Sequence, residues 1–291
     1  MPKGAIKYIV GGSLVLLGIV FMVIAYIIGG PIVFNNNIPL VWDGNDVYIG
    51  WNGIHAGSNN YTDSEDNIMN DGSVKNLKVN FDYGEMIIKT GNVDEIKVDT
   101  QNVIQDRFRY EVKGDTLNIK YDRGWHVSFF GGFLPDTRIE ITVPETMTFD
   151  NADISNGAGK MTVEGITAEK ITIENGAGEM IMNNVTANDK LDIDGGVGAI
   201  TVNDAVCGSI DADIGVGQLT FTGEVNGDGR IDSGIGAVYM TLYGNRDDYD
   251  FKTDNGIGQI TTPGSNSGAK YTFRVSSGIG EVKITMKPKE E

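Results

Sequence analysis

The chain has 291 residues, 40 acidic and 23 basic side chains and a formal net charge of −17 at pH 7. This balance argues against nucleic acid as a partner, because binding to nucleic acid depends on neutralising phosphates with Lys and Arg. With a single cysteine, Cys207, the chain cannot form an internal disulfide, so a folded domain must be held by its own core. Cys207 follows Ala205 and Val206 and is predicted to be a buried, inert thiol.

The N-terminal segment predicts a single membrane-spanning helix. Residues 8–34 carry no charged side chain, and about 20 helical residues suffice to span the hydrocarbon core of a bilayer. Lys3 and Lys7 precede this run, so the positive-inside rule makes residues 1–7 a short cytoplasmic tail and places the rest of the chain outside. A cleaved signal peptide is the alternative, but its apolar region is shorter and ends in a small-x-small site.

Two segments of different character follow this anchor. Residues 35–72 are rich in Asn, Asp and Gly and are predicted to form a polar linker. Residues 73–150 contain several short runs in which apolar and polar residues alternate, which predicts a β-rich lead-in and the first coils of a repeat. Within them, the stretch 81–88 around Gly84 looks like a degenerate first copy of the repeat that dominates the rest of the chain.

An aromatic stretch interrupts the lead-in between Gly124 and Phe133. Its aromatic residues are Trp125, Phe129, Phe130 and Phe133. Aromatic side chains in a glycine-flanked loop predict an exposed apolar patch that contacts a partner or a membrane. The alternative is a cap whose aromatic rings plug the first coil.

From residue 151 to residue 286 a Gly-x-Gly motif recurs seven times, each time followed by an alternating apolar and polar run. The second glycines are separated by 19, 20, 19, 19, 22 and 22 residues, and they are Gly159, Gly178, Gly198, Gly217, Gly236, Gly258 and Gly280. A fixed period of this length is typical of repeat proteins whose units stack to bury a shared core. The glycines are expected at a corner, where φ is positive or two backbones pass closely.

Apolar residues recur at fixed places around each corner. Two residues after the second glycine stand Met161, Met180, Ile200, Leu219, Val238, Ile260 and Val282. Between the glycines stand Ala158, Ala177, Val197, Val216, Ile235, Ile257 and Ile279. We expect both columns to join one interior. The sequence therefore predicts an all-β fold, a parallel β-solenoid (β-helix) outside the membrane, with coils about 4.8 Å apart. A closed barrel or a sandwich is the alternative, and the charged tail 287–291 is expected to protect the last open edge.

A column of acidic residues stands four positions before the second glycine. Its members are Glu174, Asp194, Asp213, Asp232 and Asp254. Stacked coils would align these carboxylates one coil apart, where like charges oppose each other. A hard cation such as Ca²⁺, which prefers oxygen ligands, would relieve that repulsion, so the column is a candidate metal site. The alternative is a row of solvated turn residues, since Asp favours turns. No other cofactor is predicted.

The order of these features resembles a known family. A membrane anchor is followed by Gly114–Lys120, then by Ile139–Pro144 and then by Asn-Gly-Ala-Gly repeats. This order is similar to that of the bacterial putative-adhesin family, a β-strand-repeat domain of unknown function. The resemblance spans about Leu77–Ile284 and implies a place in the cell envelope of a bacterium. It implies no catalytic residues.

Three functions follow as hypotheses. The first is a non-enzymatic surface protein whose ectodomain binds or scaffolds an envelope component, another protein or a cationic ligand. The second is an envelope-stress sensor or regulatory subunit that acts through a membrane partner. The third is a polysaccharide-active β-helix enzyme, which needs two suitably spaced carboxylates. The two histidines, His55 and His126, lie in no spacing suited to zinc.

Overall fold

The computed structural model describes residues 46–50, 53–57, 61–68, 72–122 and 136–289. Regular structure in these residues is β-strand, apart from two short 3₁₀ turns at Gln105–Arg107 and Arg246–Asp248. No helix in these ranges is long and apolar enough to cross a bilayer. The predicted anchor, residues 8–34, lies outside the described residues and stays a prediction.

The first nine strands precede the regular repeats. They are β1 (Asp46–Gly50), β2 (Gly53–Gly57), β3 (Tyr61–Ile68), β4 (Asn76–Phe81), β5 (Glu85–Gly91), β6 (Ile96–Ile104), β7 (Phe108–Lys113), β8 (Thr116–Tyr121) and β9 (Arg138–Pro144). The first three lie within the predicted linker, so part of that segment is folded, and β4 to β9 lie in the predicted lead-in. β1 and β2 form an antiparallel hairpin, and β3 pairs with β6.

The remaining eight strands carry the regular repeats. They are β10 (Phe149–Asn156), β11 (Lys160–Glu164), β12 (Thr167–Asn175), β13 (Glu179–Asn183), β14 (Thr186–Val225), β15 (Gly229–Tyr243), β16 (Tyr249–Thr261) and β17 (Tyr271–Lys287). β14 is a continuous extended segment that runs through two successive coils, pairing first with β12 and β13 and then with β15.

Strands of successive repeats pair in parallel and in register. Ile154 of β10 pairs with Ile173 of β12, one repeat apart. Met161, Ile200 and Leu219, which stand two residues after their corners, are at most 2% exposed. These aliphatic columns fill one continuous hydrophobic core. The described chain is therefore all-β, with an open, solenoid-like sheet.

Glycine is required at the corners because the backbones of neighbouring coils are in contact there. A Cβ atom on Gly178 would lie 2.1 Å from the carbonyl oxygen of Gly159 in the preceding coil, closer than any real carbon atom approaches. The backbone N–H of Ala177 donates to the carbonyl of Gly157 across the same gap at 2.7 Å. The glycines were expected either to adopt a positive φ or to let two backbones pass closely. At Gly178 the close approach of the backbones is the reason that glycine is required.

The coils do not stack in chain order at either end. One column of the sheet runs β8, β4, β10, β12, β14, β15, β17, β16. Thus β4 lies between β8 and β10, and the last strand of the chain, β17, is inserted between β15 and β16. The corner at Gly84 does act as a coil, since β4 and β5 pair in parallel with β10 and β11.

Aromatic packing accounts for the position of β17. A Cβ atom on Gly229 of β15 would lie 2.3 Å from the ring of Phe273 of β17, so this glycine provides the space that the ring occupies. Phe273 also packs against Phe251 and Tyr249 of β16, with ring centroids 5.3 and 5.6 Å apart. The hydroxyl of Tyr249 donates to the carbonyl of Val225 at 2.7 Å. These aromatic side chains close the core at this end.

Antiparallel strands cover the opposite end of the stack. β7 pairs with β8, and β6 followed by β3 extends the sheet from β9. Aromatic rings seal the core here as well, with Phe81 and Tyr121 at 6.0 Å and Phe108 and Tyr121 at 6.4 Å. The lead-in therefore closes the end of the stack where the repeats begin.

The prediction that the charged tail protects the last open edge is wrong. β17 lies inside the stack, so the tail leaves from an interior coil. The carbonyl of Lys287 accepts from the N–H of Gly244 at 2.9 Å, and the Lys289 ammonium pairs with Glu224 at 2.8 Å. The last strand of the stack is β16.

Replacing a corner glycine tests the close approach of coils. We expect Gly178→Ala to lower the free energy of unfolding by about 3 kcal/mol, because the added methyl group overlaps a backbone carbonyl that cannot rotate away. The matched control is Gly268→Ala in the loop before β17, where a Cβ atom would lie 3.8 Å from the side chain of Asn266, an ordinary contact distance. The control should change stability by less than about 0.5 kcal/mol. Equal denaturation midpoints for the two variants would contradict the explanation.

Candidate functional site

The predicted acidic residues share one outward-facing column, but the column is not continuous. Glu174 pairs directly with Asp194, and Asp213 pairs directly with Asp232. Because β17 is inserted before β16, Ser276 lies between Asp232 and Asp254. The run of five adjacent carboxylates that stacking in chain order would produce is therefore interrupted.

The acidic column is partly neutralised near its end. Arg230 forms an ion pair with Asp232, and the hydroxyl of Ser276 donates to the same carboxylate. Arg230 stands two positions before Asp232, in a second outward column whose next members are Arg274 and Lys252. A basic column thus runs beside the acidic one over the last three coils, where Ser276 takes the place of the middle acid.

The structure brings no cluster of metal ligands together in the residues that it describes. Within those ranges, no group of three or more His, Cys, Asp or Glu side chains is close enough to hold one ion. Glu174, Asp194 and Asp213 are exposed and contribute one carboxylate per coil. The calcium ladder stays a prediction, beside the alternative of solvated acids.

An apolar ridge runs beside the acidic column. We expected the residues between the two glycines to join the interior, and that expectation is wrong: Ile235, Ile279 and Ile257 are 53%, 50% and 77% exposed. They are neighbours on adjacent strands, since Ile235 pairs with Ile279 and Ile257 pairs with Ile279. The chain turns at this position, so the period-two rule for strands does not apply and the side chain points out of the corner.

The ridge grows in size along the stack. In spatial order its members are Ala158, Ala177, Val197, Val216, Ile235, Ile279 and Ile257. The largest side chains stand on the three coils that end with β16. These isoleucines, together with Asp213, Asp232 and Asp254, are called the acid–isoleucine face below.

A shallow groove of about 450 Å³ separates the acids from the ridge. Besides the three acids of the face, it is lined by Ser233, Ser276, Ser277, Asn255, Gly234, Gly256 and Gly278. Ser233 and Ser277 are 5% exposed, and their hydroxyl oxygens are buried beneath the groove with no hydrogen-bond partner among the described residues. The accessible polar groups of the groove are therefore its carboxylates rather than these two hydroxyls.

In several coils an asparagine side chain forms a hydrogen bond across the glycine corner. This role was not predicted from the sequence. The side-chain amide of Asn175 donates to the carbonyl of Gly178 at 2.9 Å, and Asn255 donates to Gly258 in the same way. Asn156 and Asn175 also bond to each other at 2.8 Å, and both are buried. The signal was present in the sequence, because Asn directly precedes the Gly-x-Gly step in three of the seven repeats.

Cys207 is buried, as the sequence predicted. Its side chain is 1% exposed, and burial raises the pKa of the thiol to about 12. Its Sγ contacts the carbonyl oxygen of Glu224 at 3.6 Å. A thiol with this pKa stays protonated and unreactive at physiological pH.

The aromatic partner-contact candidates cannot be placed. Trp125, Phe129, Phe130 and Phe133 lie outside the described residues. Their contact with a partner, and the alternative of a cap on the first coil, stay predictions.

Removing one acid tests whether the column repels itself. We expect Asp194→Asn to raise the free energy of unfolding by about 0.2–1 kcal/mol, because Asp194 lies directly opposite Glu174. Asp232→Asn is the matched control and should give no gain, since Asp232 is paired with Arg230. Thermal unfolding with and without CaCl₂ measures both effects.

Adding calcium distinguishes a calcium-binding acidic column from a row of solvated acids. Solvated acids predict the same Tm with and without CaCl₂ in the wild-type chain. A rise in Tm that Asp194→Asn abolishes would instead support the calcium ladder.

Solved structures of low sequence identity cover most of this chain. One is a putative adhesin from Bacteroides fragilis, 13% identical, with a TM-score of 0.44, covering 78% of this chain and 99% of that one. Another is a putative adhesin from Parabacteroides distasonis, 14% identical, with a TM-score of 0.41, covering 79% and 98%. A putative cell adhesion protein from Clostridium sporogenes is 17% identical, with a TM-score of 0.32, covering 78% and 100%.

Among curated proteins, none matches this chain. A family model, described as Toastrack DUF4097, matches residues 74–291. The match begins at the first buried residue of the lead-in, Val74, and includes every glycine corner described above. It covers well over half of the sequence. The chain therefore belongs to the Toastrack DUF4097 family, a putative-adhesin family of unknown function.

Proposed function

We propose that this chain is a non-enzymatic surface protein of the bacterial cell envelope. Residues 8–34 anchor it as a single-pass membrane protein with residues 1–7 in the cytoplasm, and the parallel β-solenoid lies outside the cell. The solenoid is an adhesin-like or scaffolding domain that binds an envelope partner through the acid–isoleucine face. The observation that carries this proposal is the exposed ridge of Ile235, Ile279 and Ile257.

The exposure of the ridge supports binding. Three neighbouring isoleucines that are at least half exposed form a contiguous apolar strip, whereas single exposed apolar residues are ordinary. Covering such a strip removes apolar surface from water, which favours association by about 25 cal/mol per Å² before the costs of binding. The corner glycines fix the strip on a rigid backbone, so little conformational entropy is lost when a partner covers it.

The charges beside the ridge indicate the chemistry of the partner. Asp213 and Asp254 are exposed carboxylates on the edge of the groove, and no ion pair of theirs is seen in the described residues. The whole chain is also strongly acidic. A protein segment that presents apolar side chains flanked by Lys or Arg would satisfy both features, and its approach would be accelerated by charge.

The regularity of the repeats supports binding over catalysis. Catalytic residues are concentrated in long loops on a rigid scaffold. From β10 to β15 the connections between strands are short, and the repeated surface is a set of parallel columns. Such columns present the same kind of side chain at intervals of one coil, which suits the recognition of an extended partner.

A model peptide tests the chemistry of the face. We expect a peptide of alternating Leu and Lys to bind the full chain, and the double variant Ile235→Ser/Ile279→Ser to weaken binding at least about tenfold, measured by fluorescence anisotropy. Val206→Ser is the matched control, because Val206 is an exposed valine, 38% accessible, away from the ridge. Binding should also weaken as salt screens the carboxylates.

Two results would contradict the proposed face. One is equal binding of a peptide in which Glu replaces each Lys. The other is an equal loss of affinity in Val206→Ser and in the double isoleucine variant.

Protease treatment of intact cells stripped of their wall tests the location. We expect added protease to digest the β-solenoid while an epitope placed before Lys3 stays protected, because the positive-inside rule puts that end in the cytoplasm. Protection of the solenoid, or release of the chain without its N-terminal segment, would contradict a single-pass anchor in this orientation.

A further inference from the structure

The two ends of the stack differ in whether further strands cover the terminal coil. At the lead-in end, antiparallel strands β7, β6 and β3 cover the terminal coil. At the other end, β16 pairs with β17 alone among the strands that the structure describes. One side of its backbone therefore presents N–H and C=O groups that no described strand satisfies, and such an edge is a template for another strand.

The side chains of β16 show that this end is open beyond the aromatic residues Tyr249 and Phe251. Residues 252–259 are exposed without alternation, whereas interior strands alternate between buried and exposed residues. Thr253 pairs with Val275, which is 2% exposed and belongs to an inward column, yet Thr253 itself is exposed. The surface on which another coil would stack is thus uncovered.

The charges on β16 are complementary to themselves. Lys252 and Asp254 stand two residues apart, so both side chains project from the outward face of the strand. If two copies of β16 pair antiparallel with Thr253 opposite Thr253, Lys252 of each copy lies opposite Asp254 of the other. This is the self-complementary contact that a two-fold dimer requires.

Neighbouring groups do not oppose this pairing. Asp250 contacts Lys252 at 3.6 Å within one copy, and its other oxygen accepts from the N–H of Asn266 at 2.8 Å. Arg274 of β17 stands directly behind Lys252 in the next coil. The exposed part of this edge therefore has balanced charge, although the whole chain is acidic.

We propose that two copies of this chain associate through β16, joined edge to edge in antiparallel register about Thr253. The dimer continues the sheet of one copy into the other, pairs the free backbone groups of both edges and forms two Lys252–Asp254 ion pairs. Cross-strand threonine pairs and opposite charges each favour such pairing. The dimer shares Asp254 with the acid–isoleucine face, but it rests on the open edge of β16 and does not depend on the proposed partner.

Charge reversal on the full chain in detergent tests the dimer. Lys252→Asp places two Asp–Asp contacts across the interface, and Asp254→Lys places two Lys–Lys contacts there. We expect each single variant to raise the dimer Kd at least about tenfold, measured by sedimentation equilibrium over a concentration series. The double variant Lys252→Asp/Asp254→Lys restores the complementary pairs and should dimerise like the wild type.

Mixing the two single variants gives the sharpest result. Each is repelled by its own copy, but Lys252→Asp opposes Asp254→Lys with two attractive pairs, so the mixture should form heterodimers. Circular dichroism identifies any variant that fails to fold, and recovery in the mixture shows that both components are folded.

A cysteine pair tests the register directly. Thr253→Cys should give a disulfide-linked dimer on mild oxidation, because residues directly opposite in an antiparallel pair have Cα atoms about 4.5–5.5 Å apart, within disulfide range. The buried thiol of Cys207 does not compete. Ser265→Cys, in the exposed loop after β16, is the control and should not cross-link.

Three outcomes would overturn the dimer. They are a wild-type chain that sediments as a monomer throughout the series, a dimer that both single variants retain because it forms elsewhere, and equal cross-linking at residues 253 and 265. Asp254 belongs to both surfaces, so peptide binding is measured on the Lys252→Asp variant, which leaves every residue of the acid–isoleucine face unchanged. Loss of the dimer with peptide binding retained, or the reverse, distinguishes failure of the dimer from failure of the proposed function.

Discussion

The contact between backbones at the glycine corners is the constraint on which the rest of the structure depends. At each regular corner the carbonyl of one glycine occupies the place where the next coil would carry a Cβ atom. The coils can then approach closely enough for backbone hydrogen bonds to continue around the turn, as from Gly176 to Asn156 at 2.7 Å. The sheet is therefore continuous from the strand before the corner to the strand after it, and the register of one coil fixes that of the next.

Because the register is fixed, residues at equivalent positions of successive repeats line up in columns along the stack. The position two residues after the corner lies in the core in every interior coil, which explains why it is always apolar. The position between the glycines lies on the tip of the corner, where it is free to vary without loss of core packing. There it changes from Ala158 at one end to Ile257 at the other. A size gradient on an uncovered position is not required for stability, which supports the proposal that this ridge is a recognition surface.

The repeat period correctly predicted which residues of the strands are buried. It did not predict the exposure of the residues at the corners or the order in which the coils stack. Columns such as Met161, Ile200 and Leu219 follow from alternation alone, and all three are buried. The same alternation failed at Ile235, because the chain turns there. The order of coils was not predictable either, since β17 has the same register whether it lies before or after β16. Only the structure relates the exchange to the longer spacing of the last two repeats and to Phe273, which fits beside Gly229.

Amide hydrogen exchange at the corners tests the central constraint most directly. Gly176, Ala177 and Val197 lie at turns, yet their N–H groups donate to the preceding coil at 2.7, 2.7 and 2.6 Å. The account predicts that these three amides are protected as strongly as the core strands, exchanging only when the stack opens. Exchange at the rate of ordinary exposed turns, with protection confined to the straight strands, would contradict the account.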